Sequence, residues 1–190
     1  MEGKGFERIP EIKIEIANLG DATGIRDVQR DTWIATYPNE EYGITREDVE
    51  AKDWDSAQRI NRWKKAIEEA GEEQQVWVAR EGSQVIAFCV ASRGQEKNQL
   101  KALYVLPSKQ GKGIGSKLMK QSLAYFNPEH DSIVEAAKYN KNAINFYKSF
   151  GFEGEVDITN PDSVADLPSG KVIPEIRMTR KADKQSLGSV

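Results

Sequence analysis

The 190-residue sequence holds one cysteine, Cys89, and one histidine, His130. A single cysteine excludes a disulfide framework and cysteine-based zinc spacing, and its place in the apolar run 85–91 marks a buried structural thiol rather than a nucleophile. A single histidine, beside Pro128 and Asp131 where a turn is expected, removes most histidine-based triads and multi-histidine sites, so no metal is expected. No apolar stretch approaches the ~18 residues of a membrane span, and no signal-peptide pattern is visible, so the expected setting is cytoplasmic with no membrane partner. A net charge of -3 argues against a general grip on nucleic acid. Repeats and low-complexity tracts are missing as well. The balance of 38% hydrophobic and 30% charged residues is that of a soluble globular chain. Its length suits one domain, placed at 1–180, with a polar tail at 181–190.

Two nucleotide-binding loops are also missing, and their absence sharpens what is present. Gln110-Gly111-Lys112-Gly113-Ile114-Gly115 carries glycines at alternate positions between an apolar run, 100–106, and an amphipathic stretch, 116–126. Residues without a Cβ let backbone N–H groups turn inward around an anion, and a following helix adds its positive N-terminus. A P-loop would need Gly-Lys-Ser/Thr starting five residues after Gly111, but Ser116, Lys117 and Leu118 stand there. A dinucleotide fingerprint would need its third glycine at Ser116 too. The loop therefore reads as a phosphate cradle of another kind. Lys109, Lys112, Lys117 and Lys120 around it form a basic patch that suits a small polyanion.

Periodicity arranges the rest. Alternation over 11–17, with Ile12, Ile14 and Ile16 on one side, predicts a strand. Asp21 or Thr23 offers an N-cap for a helix reaching about Thr36, where Pro38 stops it. A second helical region spans 45–70 with a break near 53–56, and Trp63 on its apolar stripe is expected to pack rather than bind. Strands at 75–80 and 84–93 form a hairpin across Glu81-Gly82-Ser83, and a third at 99–106 completes a meander. A helix carrying Leu118, Met119, Ser122, Leu123 and Phe126 then leads to a strand at 132–137. This strand-helix-strand order implies a parallel right-handed crossover. A helix from Asn140 to about Phe150, a strand at 152–158, a loop at 160–170 and a closing strand at 172–180 finish the chain. An exposed edge on that closing strand would either be capped or pair with another subunit in a homodimer.

Asn140, Ala143, Tyr147 and Phe150 share one helix face, with Phe146 on its flank and Gly151-Phe152 at its end. A buried tyrosine needs a partner for its hydroxyl, and a ligand can supply it. Together, Leu103-Tyr104-Val105-Leu106-Pro107, the Gln-x-x-Gly-x-Gly turn, and Asn140-x-x-Ala143-x-x-Phe146-Tyr147-x-x-x-Gly151-Phe152 strongly resemble the GNAT superfamily of acetyl-CoA-dependent N-acetyltransferases. The helix end from Thr32-Trp33 to Tyr37-Pro38 is a weaker match. The resemblance implies an α/β (α+β) three-layer fold. Its central sheet would be mixed, mostly antiparallel, of about six or seven strands with a splayed parallel pair, flanked by about four helices.

It also implies site residues. Main-chain groups of Leu103, Tyr104 and Val105 would bind the pantetheine arm of acetyl-CoA. Gln110, Gly111, Lys112, Gly113, Ile114, Gly115 and Ser116 would hold the pyrophosphate, and Asn140 would lie against the pantetheine or its sulfur end. Tyr147 would be the catalytic acid that protonates the leaving thiolate as the acetyl group passes to an amine. Many relatives place a glutamate where this chain has Gln99, which cannot accept the amine's proton; Glu135 or a water chain could serve. The acceptor is a small amine or polyamine, or a protein or peptide amino group. Glu40, Glu41, Glu47, Asp48, Glu50 and Asp53 would favour a cation if two or more of them faced the cleft. A noncatalytic acyl-CoA sensor would keep the same cradle.

Overall fold

The computed structural model describes residues 11–158 and 165–182. Strand β1 (Ile12–Ile16) leads into helix α1 (Ala22–Thr36), the short α2 (Arg46–Glu50) and α3 (Ala57–Glu68). The meander is β2 (Gln74–Glu81), β3 (Gln84–Arg93) and β4 (Lys97–Val105). Then come α4 (Ile114–Tyr125), β5 (Asp131–Ala137), α5 (Lys141–Lys148), β6 (Glu153–Asp157), β7 (Ala165–Asp166), β8 (Val172–Ile173) and β9 (Glu175–Arg180). Seven strands form one sheet in the order β1-β2-β3-β4-β5-β9-β6, and β7 pairs with β8 apart from it. Only the β4–β5 pair in that sheet is parallel.

The sheet is covered on both faces, which gives the expected three layers. On one face, Ile114, Leu118, Met119, Ile144 and Tyr147 from α4 and α5 pack on Ile86, Leu100, Val134, Ile176 and Met178. On the other, Ile25 and Val28 of α1 and Ile67 of α3 meet Val76, Val78, Phe88 and Val90. Trp63 packs edge-on against Phe88 at 5.1 Å, the structural role its stripe predicts. Close approach of α1 to β3 depends on Gly24: a Cβ there would stand 2.9 Å from the Val85 side chain.

Several local expectations change. Asp21 precedes α1 but makes no capping bond to it. Buried to 3% exposure, it pairs instead with Arg80 and accepts from the Asn18 N–H at 2.9 Å. A buried carboxylate gains more from a guanidinium than from one exposed helix end. Ile16, at the end of an edge strand, is exposed although Ile12 and Ile14 pack on the core. The closing strand expected at 172–180 is divided at Pro174, which lacks an N–H for a ladder and accepts from the Lys138 N–H at 2.9 Å. Moreover, β9 lies between β5 and β6, so the closing strand presents no free edge and β6 is the outer strand. Of the expected loop at 160–170, residues 165–170 are described and include the short strand β7, which pairs with β8; most of the tail at 181–190 falls outside the described residues.

The feature that opens the sheet is local to β4. Pairing of β4 with β5 runs from Lys97–Asp131 to Leu100–Val134 and stops, although both strands continue. At that point the β3–β4 register slips: Ala91 faces Leu100 and Val90 faces Ala102, so Lys101 is an extra residue in β4. A bulge of this kind bends its strand, and β4 leaves β5 where the bulge occurs. The splayed pair expected from the resemblance is thus present. No helix among the described residues is long and apolar enough to cross a membrane.

Candidate functional site

A cleft of about 1030 Å³ occupies the splay. Leu103, Tyr104, Val105, Gln110, Gly111, Gly113, Ile114, Gly115, Ser116, Asn140 and Tyr147 all line it. Of the site residues read from the sequence, Lys112 alone stands off the wall.

At one end the glycine loop supplies main-chain donors. Gly111 and Gly113 have φ of +73° and +74°, in the left-handed region that a side chain disfavours, and Gly113 caps α4. The first helical bond there is from the Lys117 N–H to the Gly113 carbonyl, at 3.1 Å. Among the described residues, none of the N–H groups of residues 111–116 donates to a backbone carbonyl. They converge on the positive end of α4, an arrangement suited to an anion. Lys112, Lys117 and Lys120 are exposed nearby, whereas Lys109 is held by Glu81. Gln110 turns inward: its carboxamide donates to the Val105 carbonyl at 3.1 Å, so these two residues each spend a polar group on the other.

Along the middle, Leu103 and Tyr104 belong to the part of β4 beyond its pairing with β5. Opposite, Asn140 caps α5 by accepting from the Ala143 N–H at 3.1 Å. Its carboxamide nitrogen is left to donate. Tyr147 is 7% exposed and lines the cleft, and its hydroxyl makes no hydrogen bond among the described residues. Burial, then the nearby Tyr104 and Cys89, push its phenol well above the ordinary range, so it stays protonated. Cys89 itself is buried against α4, 3.4 Å from the Ser122 hydroxyl, and burial pushes its thiol up to about 12. It is no nucleophile at neutral pH.

The far end brings together Tyr104 and Glu135, both read from the sequence, with Tyr139, which the sequence did not single out, and Tyr37. Tyr37, Tyr104 and Tyr139 line it; the Tyr37 and Tyr104 hydroxyls are 3.3 Å apart, and the Tyr139 hydroxyl donates to the Tyr37 carbonyl at 2.7 Å. Tyr104 belongs to the Leu103-Tyr104-Val105 motif and Tyr37 to the helix end noted above; Tyr139 alone left no trace in the sequence pattern. Glu135 also lines this end, but its Oε1 accepts from Arg177 Nε at 3.0 Å and Nη2 at 2.6 Å. Gln99 lies in the paired part of β4, opposite Ile133, and not on the cleft wall. None of the six acidic residues between 40 and 53 lines the cleft; Glu50 pairs with Arg46 and Asp48 with Lys171. That segment gives the cleft no cation preference. Among the described residues, no group of three or more His, Cys, Asp or Glu side chains is placed to hold a metal ion.

Comparison with known proteins agrees with this architecture. Residues 72–154 match the family described as the acetyltransferase (GNAT) domain. A probable N-acetyltransferase of Mycobacterium tuberculosis is 31% identical over 98 residues, 49% of this chain; the match spans only 56% of that relative's length. Among solved structures, the PaiA N-acetyltransferase of Thermoplasma acidophilum in complex with coenzyme A superposes with a TM-score of 0.62 at 19% identity, covering 90% of this chain and 99% of that one. The ribosomal-protein-S18-alanine N-acetyltransferase of Escherichia coli gives 0.65 at 15% identity, covering 95% and 99%. At these identities the two structures speak for the fold.

Proposed function

We propose that this chain, in which residues 72–154 match the acetyltransferase (GNAT) domain, is an N-acetyltransferase that moves an acetyl group from acetyl-CoA directly to a primary amine. One observation carries the proposal: a single opening in the splayed sheet joins the unpaired N–H groups of the glycine loop to the free hydroxyl of Tyr147. Acetyl-CoA would supply the activated thioester.

In this reading residues 110–116 cradle the pyrophosphate, with exposed Lys112 and Lys117 adding positive charge. Leu103 and Tyr104 offer main-chain groups to the amides of the pantetheine arm, as one more strand would. Val105, its carbonyl already engaged by Gln110, adds wall rather than a hydrogen bond. Asn140 donates from its free carboxamide nitrogen near the sulfur end. Tyr147, kept protonated by burial, gives its proton to the leaving thiolate. The amine enters from the tyrosine-lined end, whether it belongs to a small molecule or to a protein. Transfer is direct, because the one cysteine is buried and held as a thiol.

The test is to mix the protein with acetyl-CoA and a panel of polyamines, amino acids, aminoglycosides and peptides, and to read released thiol. Coenzyme A should raise the melting midpoint, whereas ATP and NAD should not. Stabilisation by ATP or NAD with none from coenzyme A overturns the proposal. Coenzyme A binding without thiol release from any amine would favour the sensor role, for which the engagement of Glu135 by Arg177 is the supporting observation.

A further inference from the structure

Glu175 begins β9 opposite Ala137, the last residue of β5 and part of the cleft wall. Its main chain is fixed from two sides. The Ile158 N–H donates to its carbonyl at 3.0 Å, and the Lys138 N–H donates to the carbonyl of the preceding Pro174 at 2.9 Å. Along β9, Ile176 and Met178 point into the core beneath α4 and α5, so Glu175 and Arg177 share the opposite face with Glu135. Tyr37, Tyr104 and Tyr139 are close enough for the Glu175 charge to raise all three phenols.

Half-buried carboxylates normally have a partner. Among the described residues the Glu175 carboxylate has neither an ion pair nor a hydrogen bond. The cations on adjoining strands are already committed, Arg177 to Glu135 and Lys138 to Asp157. Glu175 is not itself on the cleft wall but pairs across the ladder with Ala137, which is, and an unsatisfied carboxylate next to an open cleft marks a place where a ligand completes the bonding.

We propose that Glu175 binds the ammonium group of the acceptor and takes the proton it must lose before attack, with Tyr37, Tyr104 and Tyr139 walling the alkyl stem. The proposal rests on the acetyltransferase reading and names its acceptor class: a primary alkylamine, whose ammonium meets the carboxylate and whose alkyl stem meets the three rings. In the step, the ammonium gives one proton to the Glu175 carboxylate, leaving a neutral amine. The nitrogen lone pair forms the C–N bond as the C–S bond breaks. The thiolate takes a proton from Tyr147, and the second nitrogen proton returns to the tyrosine. The products are the N-acetylated amine, the free thiol and one proton, which Glu175 releases to solvent.

The environment suits a base. Burial, reinforced by the Glu135 charge, pushes the Glu175 carboxyl up to about 7. The other titratable or charged groups around it are Arg177 on its own strand, Lys138 and Tyr139 just past β5, Asp157 on β6, Tyr104 on β4 and Tyr37 at the end of α1. Tyr139 and the other phenols stay neutral through this range.

The test compares wild type with Glu175→Gln, using putrescine, a short peptide with a free amino terminus, and glycine as acceptors and coenzyme A as the binding probe. Expected are a fall of about tenfold or more in kcat/KM for putrescine, loss of the acid limb near neutral pH, and unchanged coenzyme A affinity. Wild type should prefer putrescine to glycine. A Glu175→Gln protein that binds coenzyme A and keeps both its turnover and its acid limb overturns the role of Glu175 while leaving the transferase reading intact. Preference for glycine overturns the acceptor class. A wild-type protein that releases no thiol with any amine overturns the transferase reading, and this inference with it.

Discussion

The Tyr139 hydroxyl reaches the main-chain carbonyl of Tyr37 at 2.7 Å and so ties the turn after β5 to the end of α1 across the far mouth of the cleft. Tyr42 stacks on the same Tyr139 ring at 5.4 Å. Removing the hydroxyl with Tyr139→Phe should cost about 1 kcal/mol of stability and loosen only this mouth. The expected kinetic result is a several-fold rise in KM for the amine with coenzyme A affinity unchanged, read by steady-state rates and calorimetry.

Tyr147→Phe removes a phenol that has no partner within the described chain, so it should leave the fold intact. Turnover should fall at least about tenfold while coenzyme A binding changes little. Because burial raises this phenol, wild-type activity should persist above the ordinary tyrosine range. Equal loss of turnover and binding, or loss of neither, would remove Tyr147 from the role of acid.

Two glycines should fail in different ways. Gly113→Ala meets no atom within 4 Å, but its φ of +74° makes a side chain unfavourable by roughly 1 kcal/mol. Relief would come by moving the cradle, and KM for acetyl-CoA should rise with a small change in melting. Gly24→Ala drives its Cβ to 2.9 Å from Val85 between α1 and β3 and leaves the φ angles of the loop glycines untouched. Melting should drop and KM for acetyl-CoA should hold.

Glu175 also couples stability to pH. Its carboxyl is raised from 4.5 in the unfolded chain to about 7 in the fold, so the folded state binds its proton more tightly. That contribution is complete below about pH 4.5 and is lost as pH rises through about 7. Glu175→Gln should therefore melt higher than wild type at about pH 8, by roughly 2–4 °C if solvent leaves about 1 kcal/mol of the effect. The difference should vanish on acidification. A gap independent of pH would mean that the substitution acts through packing.

Cys89 offers a probe of opening. Its thiol is fully buried and raised to about 12, so iodoacetamide near neutral pH should modify it only when α4 leaves the sheet. Protection should increase when coenzyme A is added, measured as mass shift against time.

What the sequence disclosed and what it hid divide along sequence distance. The glycine turn and the face shared by Asn140 and Tyr147 are short-range patterns, each within one loop or one helix, so spacing alone exposed them. The meander was legible for the same reason. Glu175 was not, because its position depends on β9 entering between β5 and β6, a pairing no local pattern encodes. Asp21 misled in the same way: its sequence neighbours suggest a cap, while its actual partner, Arg80, arrives from β2. Glu135 could be found from its strand, but not its capture by Arg177.

The extra residue at Lys101 keeps Leu100 and Leu103 on the same face while bending β4 away from β5. Deleting Lys101 would leave the inward and outward alternation of the following side chains unchanged and remove the bend, allowing the two strands to zip together to their ends. Such a shortened chain should be no less foldable and should have nowhere to put a ligand. In this sheet, one surplus amino acid separates a closed sheet from an open one.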